Sequence, residues 1–313
     1  GIMGSRIACH FANIGVEVLL LDILNIEAEN DMENKKLRNK IVNDSLSNTL
    51  KSKPSPIYSK KFINRIKTGN LTDDLQKINT ADWIIEVIIE NLEIKKELFE
   101  KIEKYRKTGS IISSNTSGIP INKMIEGRSA DFCENFCGTH FFNPPRYLKL
   151  LEIIPSKKTN ENLIHFLLSY GEKFLGKKTV QCKDTPAFIA NRIGIAGIAA
   201  LFKIIKELKL SIEEVDSLTG PIIGRPKSAT FRTCDLVGLD TLYNVAKGVY
   251  ENCPNDENRD IFKLPNFIDQ MLKEKWLGDK TKQGFYKKTR DKNGKRKILS
   301  LDLEKFSYEE KKK

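Results

Sequence analysis

Short apolar runs alternate with helical stretches through the first 185 residues, and that alternation constrains the fold of this 313-residue chain most strongly. Apolar side chains at Ile7, Ala8, Phe11, Ala12 and Ile14 predict a helix over residues 4–14, ended by Gly15. Residues 16–21 then read as a buried strand ending at Asp22. Residues 25–50 form a polar, mostly helical stretch closed by Pro54 and Pro56, and a short strand is predicted around residues 63–66. Residues 83–89 are apolar except for Glu86, the pattern of a strand buried on both faces. A helix over residues 93–105 follows, with strands at 110–113, 137–142, 148–154 and 179–183. Strands alternating with helices in this way build a parallel α/β sheet.

Past Pro186 the pattern changes. Residues 188–206 predict one long apolar helix, and Ser211 with Glu214 forms a capping box that opens another. Gly220-Pro221 and Gly224-Arg225-Pro226 break the chain, and helices follow at 239–250 and 264–275. The expected organisation is an α/β domain over residues 1–184, an all-helical domain over 185–286, and a polar, basic, loosely held tail over 287–313.

The chain is long enough for two domains, and its 40% hydrophobic content supplies their cores. No apolar run reaches membrane-spanning length, since the stretch at 193–205 is short and contains Lys203. No secretory signal opens the chain, so the expectation is a cytoplasmic protein without a membrane span. The net charge of +12 raises nucleic acid as a partner. Its basic residues are spread out, however, and a positive field equally draws in small phosphate-bearing anions, so no nucleic-acid partner is expected. Cys133 and Cys137 have no second pair at zinc spacing, and His10, His140 and His165 form no cluster, so no metal site is expected and the six cysteines read as free thiols.

Gly1-Ile2-Met3-Gly4, followed by a helix and then a strand ending in an acidic residue, matches the last two glycines of a Rossmann dinucleotide fingerprint. The first glycine and the strand before it are not in the sequence. Asp22 stands where a carboxylate binds the adenosine ribose, which favours NAD over NADP. In the doubly wound order that absent strand is central, so its neighbours would lack a ladder partner. Arg6, in the first turn of the helix, either reaches a pyrophosphate or points outward.

The stretch from Gly138 to Pro145 holds His140 between apolar residues, and Glu152 lies twelve positions on, beyond the Pro-Pro turn. Two strands joined by that turn would bring the carboxylate beside the imidazole. Such a pair fixes the tautomer and raises basicity, as alcohol oxidation requires of a general base.

His140-Phe-Phe-Asn-Pro, Glu90-Asn-Leu, Ser114-Asn-Thr-Ser and the run from Lys183 to Arg192 together resemble the 3-hydroxyacyl-CoA dehydrogenase family, from Gly1 to about Tyr286. Residues 224–232 are similar to a bacterial subgroup of long multidomain enzymes. The resemblance implies a Rossmann-type doubly wound sheet followed by a helical substrate and dimerisation domain. It implies NAD as cofactor, acyl-CoA as substrate and a homodimer formed through the helical domain. Carried over, His140 is the general base, Glu152 its partner, and Ser117 and Asn191 the residues that complete the site. Gly1, Gly4, Asp22, Glu90, Lys95, Asn143 and Lys280 match cofactor-binding positions, although Lys95 and Lys280 read equally as solvated surface lysines.

Two readings of function stand at this point. One is NAD-dependent oxidation of (S)-3-hydroxyacyl-CoA to 3-ketoacyl-CoA in fatty acid β-oxidation. The other is an inactive remnant or fragment of a longer multifunctional enzyme, which the absent strand favours.

Overall fold

The computed structural model describes residues 1–292 and 294–310, and the chain divides into two units, one of Gly1–Phe188 and one from Ile189 on. The division falls a few residues beyond the expected boundary because Phe188 is buried in the first unit's core, with Phe136, Ile154 and Cys182.

The first unit runs α1 (Ile2–Asn13), β1 (Val18–Asp22), α2 (Lys35–Arg38), α3 (Lys40–Leu50), β2 (Ile66–Asn70), β3 (Trp83–Glu86), α4 (Leu92–Tyr105), β4 (Ile111–Ser114), α5 (Ile121–Met124), α6 (Ala130–Glu134), β5 (Phe136–Phe141), β6 (Leu150–Pro155), α7 (Glu161–Lys173) and β7 (Lys178–Gln181). β1 pairs in parallel with β2 as one two-stranded sheet, and β3-β4-β5-β6-β7 form a second. Every pairing in the larger sheet is parallel except β5 with β6. Among the described residues β1 and β3 are not paired with each other. The result is a Rossmann-like, mostly parallel sheet with helices packed on it.

Apolar faces converge on this framework as the periodicity predicts. Phe11 of α1 meets Trp83 of β3 edge-on, with ring centroids 5.3 Å apart. On the other side Phe99 of α4 packs edge-on against Phe136 of β5 at 5.1 Å, beside Phe132. Geometric complementarity of this kind adds to the burial of large rings.

Several local readings change, and the strand read at 83–89 ends at Glu86. Residues 60–65 are a 3₁₀ turn and the strand begins at Ile66, because Ser59 caps that turn through the Lys61 N–H. The stretch at 25–50 is less helical than expected. It holds a 3₁₀ turn at Ile26–Ala28 before α2 and α3. There Arg38, buried, ties the segment together by donating to the Ala28 and Glu29 carbonyls and to both oxygens of Asp73. The helix α7 had no counterpart in the sequence reading.

The second unit holds α8 (Ala190–Leu208), α9 (Ile212–Leu218), α10 (Phe231–Val237), α11 (Leu239–Asn252) and α12 (Asn266–Lys273), followed by β8 (Tyr286–Arg290), β9 (Arg296–Asp302) and β10 (Ser307–Glu310). The capping box of Ser211 and Glu214 opens α9 as its spacing predicts. Phe202, Phe231 and Phe285 form the centre of this unit. Asp235 is buried and accepts the Phe285 and Tyr286 N–H groups, and burial pushes its carboxyl up to about 6.

The described residues of the tail are not loosely held. β8, β9 and β10 form an antiparallel sheet, in which Trp276 stacks on Phe306 at 4.9 Å and Leu301 is buried. Residues 293 and 311–313 of the expected tail lie outside the described residues. No helix among the described residues is long and apolar enough to cross a membrane.

Candidate active site

The side chains with chemistry in the first unit collect at the C-terminal ends of its parallel strands, where open α/β sheets bind ligands. Strand register does the collecting. Asp22 ends β1, Glu86 ends β3 opposite Ser114 at the end of β4, and the turn at 115–118 follows directly. β5 runs parallel to β4 and carries His140 near its own C-terminal end.

His140 and Glu152 are direct partners in the antiparallel ladder of β5 and β6. Opposite residues on one face of such a pair bring their side chains within reach. The imidazole Nδ1 lies 2.7 Å from Glu152 Oε2. His140 is 4% exposed and Glu152 is fully buried. The rings of Phe142 and Phe188 flank the imidazole, with centroids 4.4 and 5.7 Å away. Since a carboxylate only accepts, Nδ1 carries the hydrogen and Nε2 is left with its lone pair. In this arrangement Nε2 is able to accept a proton.

The turn at 115–118 is held from two sides. Asn115 Oδ1 accepts the Phe141 N–H at 2.8 Å, which ties the turn to the strand of His140. Glu90 Oε1 accepts Thr116 Oγ1 at 2.6 Å and the Ser117 N–H at 2.9 Å, and Ser117 itself is exposed. Beneath Glu90, the Lys95 ammonium lies 2.7 Å from Glu86 Oε1 and 3.4 Å from Glu90 Oε2. Lys95 is therefore no solvated surface lysine. It is 1% exposed, and its amine is engaged by two carboxylates. Glu86, Asn115 and Thr116 are residues whose roles the sequence reading missed. The signal for Glu86 was visible as the single charge in an apolar strand.

The nucleotide end fits a dinucleotide by its donor set. The N-terminus of α1 has no side-chain cap and no acidic residue in its first turn, so its amides remain open to an anion. A Cβ built at Gly1 meets nothing within 4 Å, and one at Gly4 makes only ordinary contacts, 3.8 Å to Val87 and 3.9 Å to Leu20. Asp22 carries its carboxylate at the end of β1, 2.5 Å from the Gly1 amine. Arg6 is half-buried, and its Nη1 donates to Asn143 Oδ1 in the turn after β5.

Two of the sequence-predicted residues lie in the second unit. Asn191 sits in the first turn of α8, and Lys280 pairs with Asp240. Among the described residues no group of His, Cys, Asp and Glu is arranged to hold a metal ion.

Comparison with known proteins places this geometry. Residues 1–185 match the NAD-binding domain of 3-hydroxyacyl-CoA dehydrogenase, and residues 188–288 match the C-terminal domain of the same family. A probable 3-hydroxyacyl-CoA dehydrogenase of Bacillus subtilis is 52% identical over 295 residues, which are 92% of this chain and 37% of that protein. The chain thus spans little more than a third of that relative. A protein of the same description in Deinococcus radiodurans is 45% identical, with 93% of this chain and 81% of the relative covered. The crystal structure of an (S)-3-hydroxybutyryl-CoA dehydrogenase from Ralstonia eutropha matches with a TM-score of 0.72 and 26% identity, covering 91% of this chain and 94% of that one. The chain belongs to the 3-hydroxyacyl-CoA dehydrogenase family.

Proposed function

We propose that this chain oxidises (S)-3-hydroxyacyl-CoA to 3-ketoacyl-CoA with NAD, the dehydrogenation step of fatty acid β-oxidation. The observation that carries the reading is the buried hydrogen bond between His140 Nδ1 and Glu152 Oε2. It commits one ring nitrogen and leaves the other as the base for a hydroxyl proton. The adjacent Glu152 would stabilise the imidazolium that results. Ser117, which is exposed on its turn, is assigned as the donor to the substrate's 3-oxygen. Asn191 is assigned to the same reaction on its resemblance to the family's motif alone.

NAD, when bound, supplies the hydride acceptor. The open amides of α1 would hold its pyrophosphate and Asp22 its ribose, and the carboxylate would repel a 2′-phosphate. Glu90, Asn143 and Lys280 are assigned to the same cofactor. Lys95 is assigned an indirect part, since its amine is already engaged. The resemblance extends the reading to a cytoplasmic homodimer formed through the helical unit.

The test is acetoacetyl-CoA-dependent loss of NADH absorbance by the purified chain. Turnover supports the assignment. Calorimetric titration with NADH separates the second reading, an inactive remnant. Micromolar binding would count against the remnant.

A further inference from the structure

Glu86 touches neither the open end of the site nor solvent, yet it is among the most completely hydrogen-bonded side chains in the first unit. Its side chain has no exposed surface. Oε1 accepts the Ile88 N–H at 2.6 Å and the Lys95 ammonium at 2.7 Å. Oε2 accepts Ser114 Oγ at 2.5 Å. Three elements thus converge on one carboxylate: the chain leaving β3, the helix α4 and the end of β4. The same Ser114 hydroxyl accepts the Thr116 N–H at 3.2 Å.

A buried ion pair is poor evidence of a stabilising device, because two apolar side chains of similar volume serve stability as well. An apolar pair cannot, however, hold a second carboxylate. Lys95 does so here. Its ammonium lies between Glu86 and Glu90, and the far oxygen of Glu90 receives Thr116 Oγ1 and the Ser117 N–H. A lysine has four flexible methylenes and no preferred position of its own. Glu86, locked by its backbone and hydroxyl donors, gives the ammonium one. We infer that Glu86 is a positioning residue, which fixes Lys95 and, through Lys95 and Glu90, sets the turn that presents Ser117. The assignment rests on the functional reading above for the role of Ser117, and on the geometry alone for the control of the turn.

Two measurements test it. Amide hydrogen exchange of residues 115–118 reports the turn without any need for activity. Glu86→Gln, whose neutral amide gives the ammonium no countercharge, should make that segment exchange about tenfold faster or more, as expected of a local opening. Glu126→Gln, which breaks the exposed pair with Lys96 on the same helix, should leave it unchanged. In turnover, Glu86→Gln should lower kcat with little change in KM for acyl-CoA. That loss should vanish in a Ser117→Ala background, because residues acting through one group are not additive. Unchanged exchange, or kcat losses that multiply independently of Ser117, would overturn the inference. Should Glu86→Gln fail to fold, Glu86→Gln/Lys95→Met carries no buried charge and keeps the volume. Fast exchange at 115–118 in that folded variant supports the inference, and restored protection refutes it. If the parent chain shows no turnover, the functional reading fails and the exchange measurement alone decides this one.

Discussion

His140 and Glu152 are twelve residues apart in the chain and directly opposite each other in the β5–β6 ladder, with Nδ1 and Oε2 at 2.7 Å. Full burial of the carboxylate makes its effect on substrate indirect. Glu152→Gln therefore lowers kcat by about 10²–10⁴-fold, the span expected when general-base catalysis is lost. KM for acetoacetyl-CoA changes little. Steady-state kinetics on the variant checks both, and a change confined to KM would mean that Glu152 contacts substrate.

The same ladder leaves no room at Gly138. A Cβ there would stand 2.9 Å from Ile121 Cδ1 and 3.1 Å from Ile154 Cβ, and the latter cannot swing away. Overpacking of this kind costs about 1–3 kcal/mol. Gly138→Ala should lower Tm by several degrees in a thermal melt, whereas Gly109→Ala tests strain instead of space, since Gly109 has open surroundings but φ +75°.

At the cofactor end, Asp22→Ser removes a charged acceptor from the end of β1. KM for NADH should rise about tenfold or more, consistent with a lost hydrogen bond to a charged group. NADPH should gain relative to NADH, because the repulsion of a 2′-phosphate goes with the carboxylate. Parallel assays with the two cofactors give the ratio, and an unchanged ratio would remove Asp22 from the cofactor site.

Acid stability has a named contributor in His10. Burial, with Lys177 nearby, lowers its imidazole from 6.5 to about 4, although Nε2 bonds the Leu175 carbonyl. Between pH 6.5 and 4 the unfolded chain binds a proton that the folded chain refuses. Stability therefore falls as pH drops through that window, by up to about 3 kcal/mol. Asp235, held up to about 6, has the opposite slope, but it is common to parent and variant. Denaturation of His10→Gln across pH 4–7 should show a shallower decline than the parent.

The framework of the site was legible in the sequence because it follows local rules. The strand at 83–86, the helix over 92–105 and the His140–Glu152 hairpin all follow from periodicity and turn chemistry. The sheet at the C-terminus was not legible. Its strands are dense in lysine, and what organises them is tertiary, the packing of Trp276 on Phe306 and Tyr308 and the insertion of Leu301. Lys95 escaped for a similar reason. Four residues of helix spacing from an exposed neighbour say nothing of a buried carboxylate on β3, and only the register of β3 with β4 brings Glu86 and Ser114 beneath it.

The account rests most directly on Nε2 of His140 as the base. The measurement is the rate of acetoacetyl-CoA-dependent NADH oxidation by the parent chain and by His140→Gln, with NADH binding followed in both. The account predicts turnover in the parent, a loss of about 10²-fold or more in the variant, and equal NADH affinity. A His140→Gln chain that turns over at the parent's rate would contradict it.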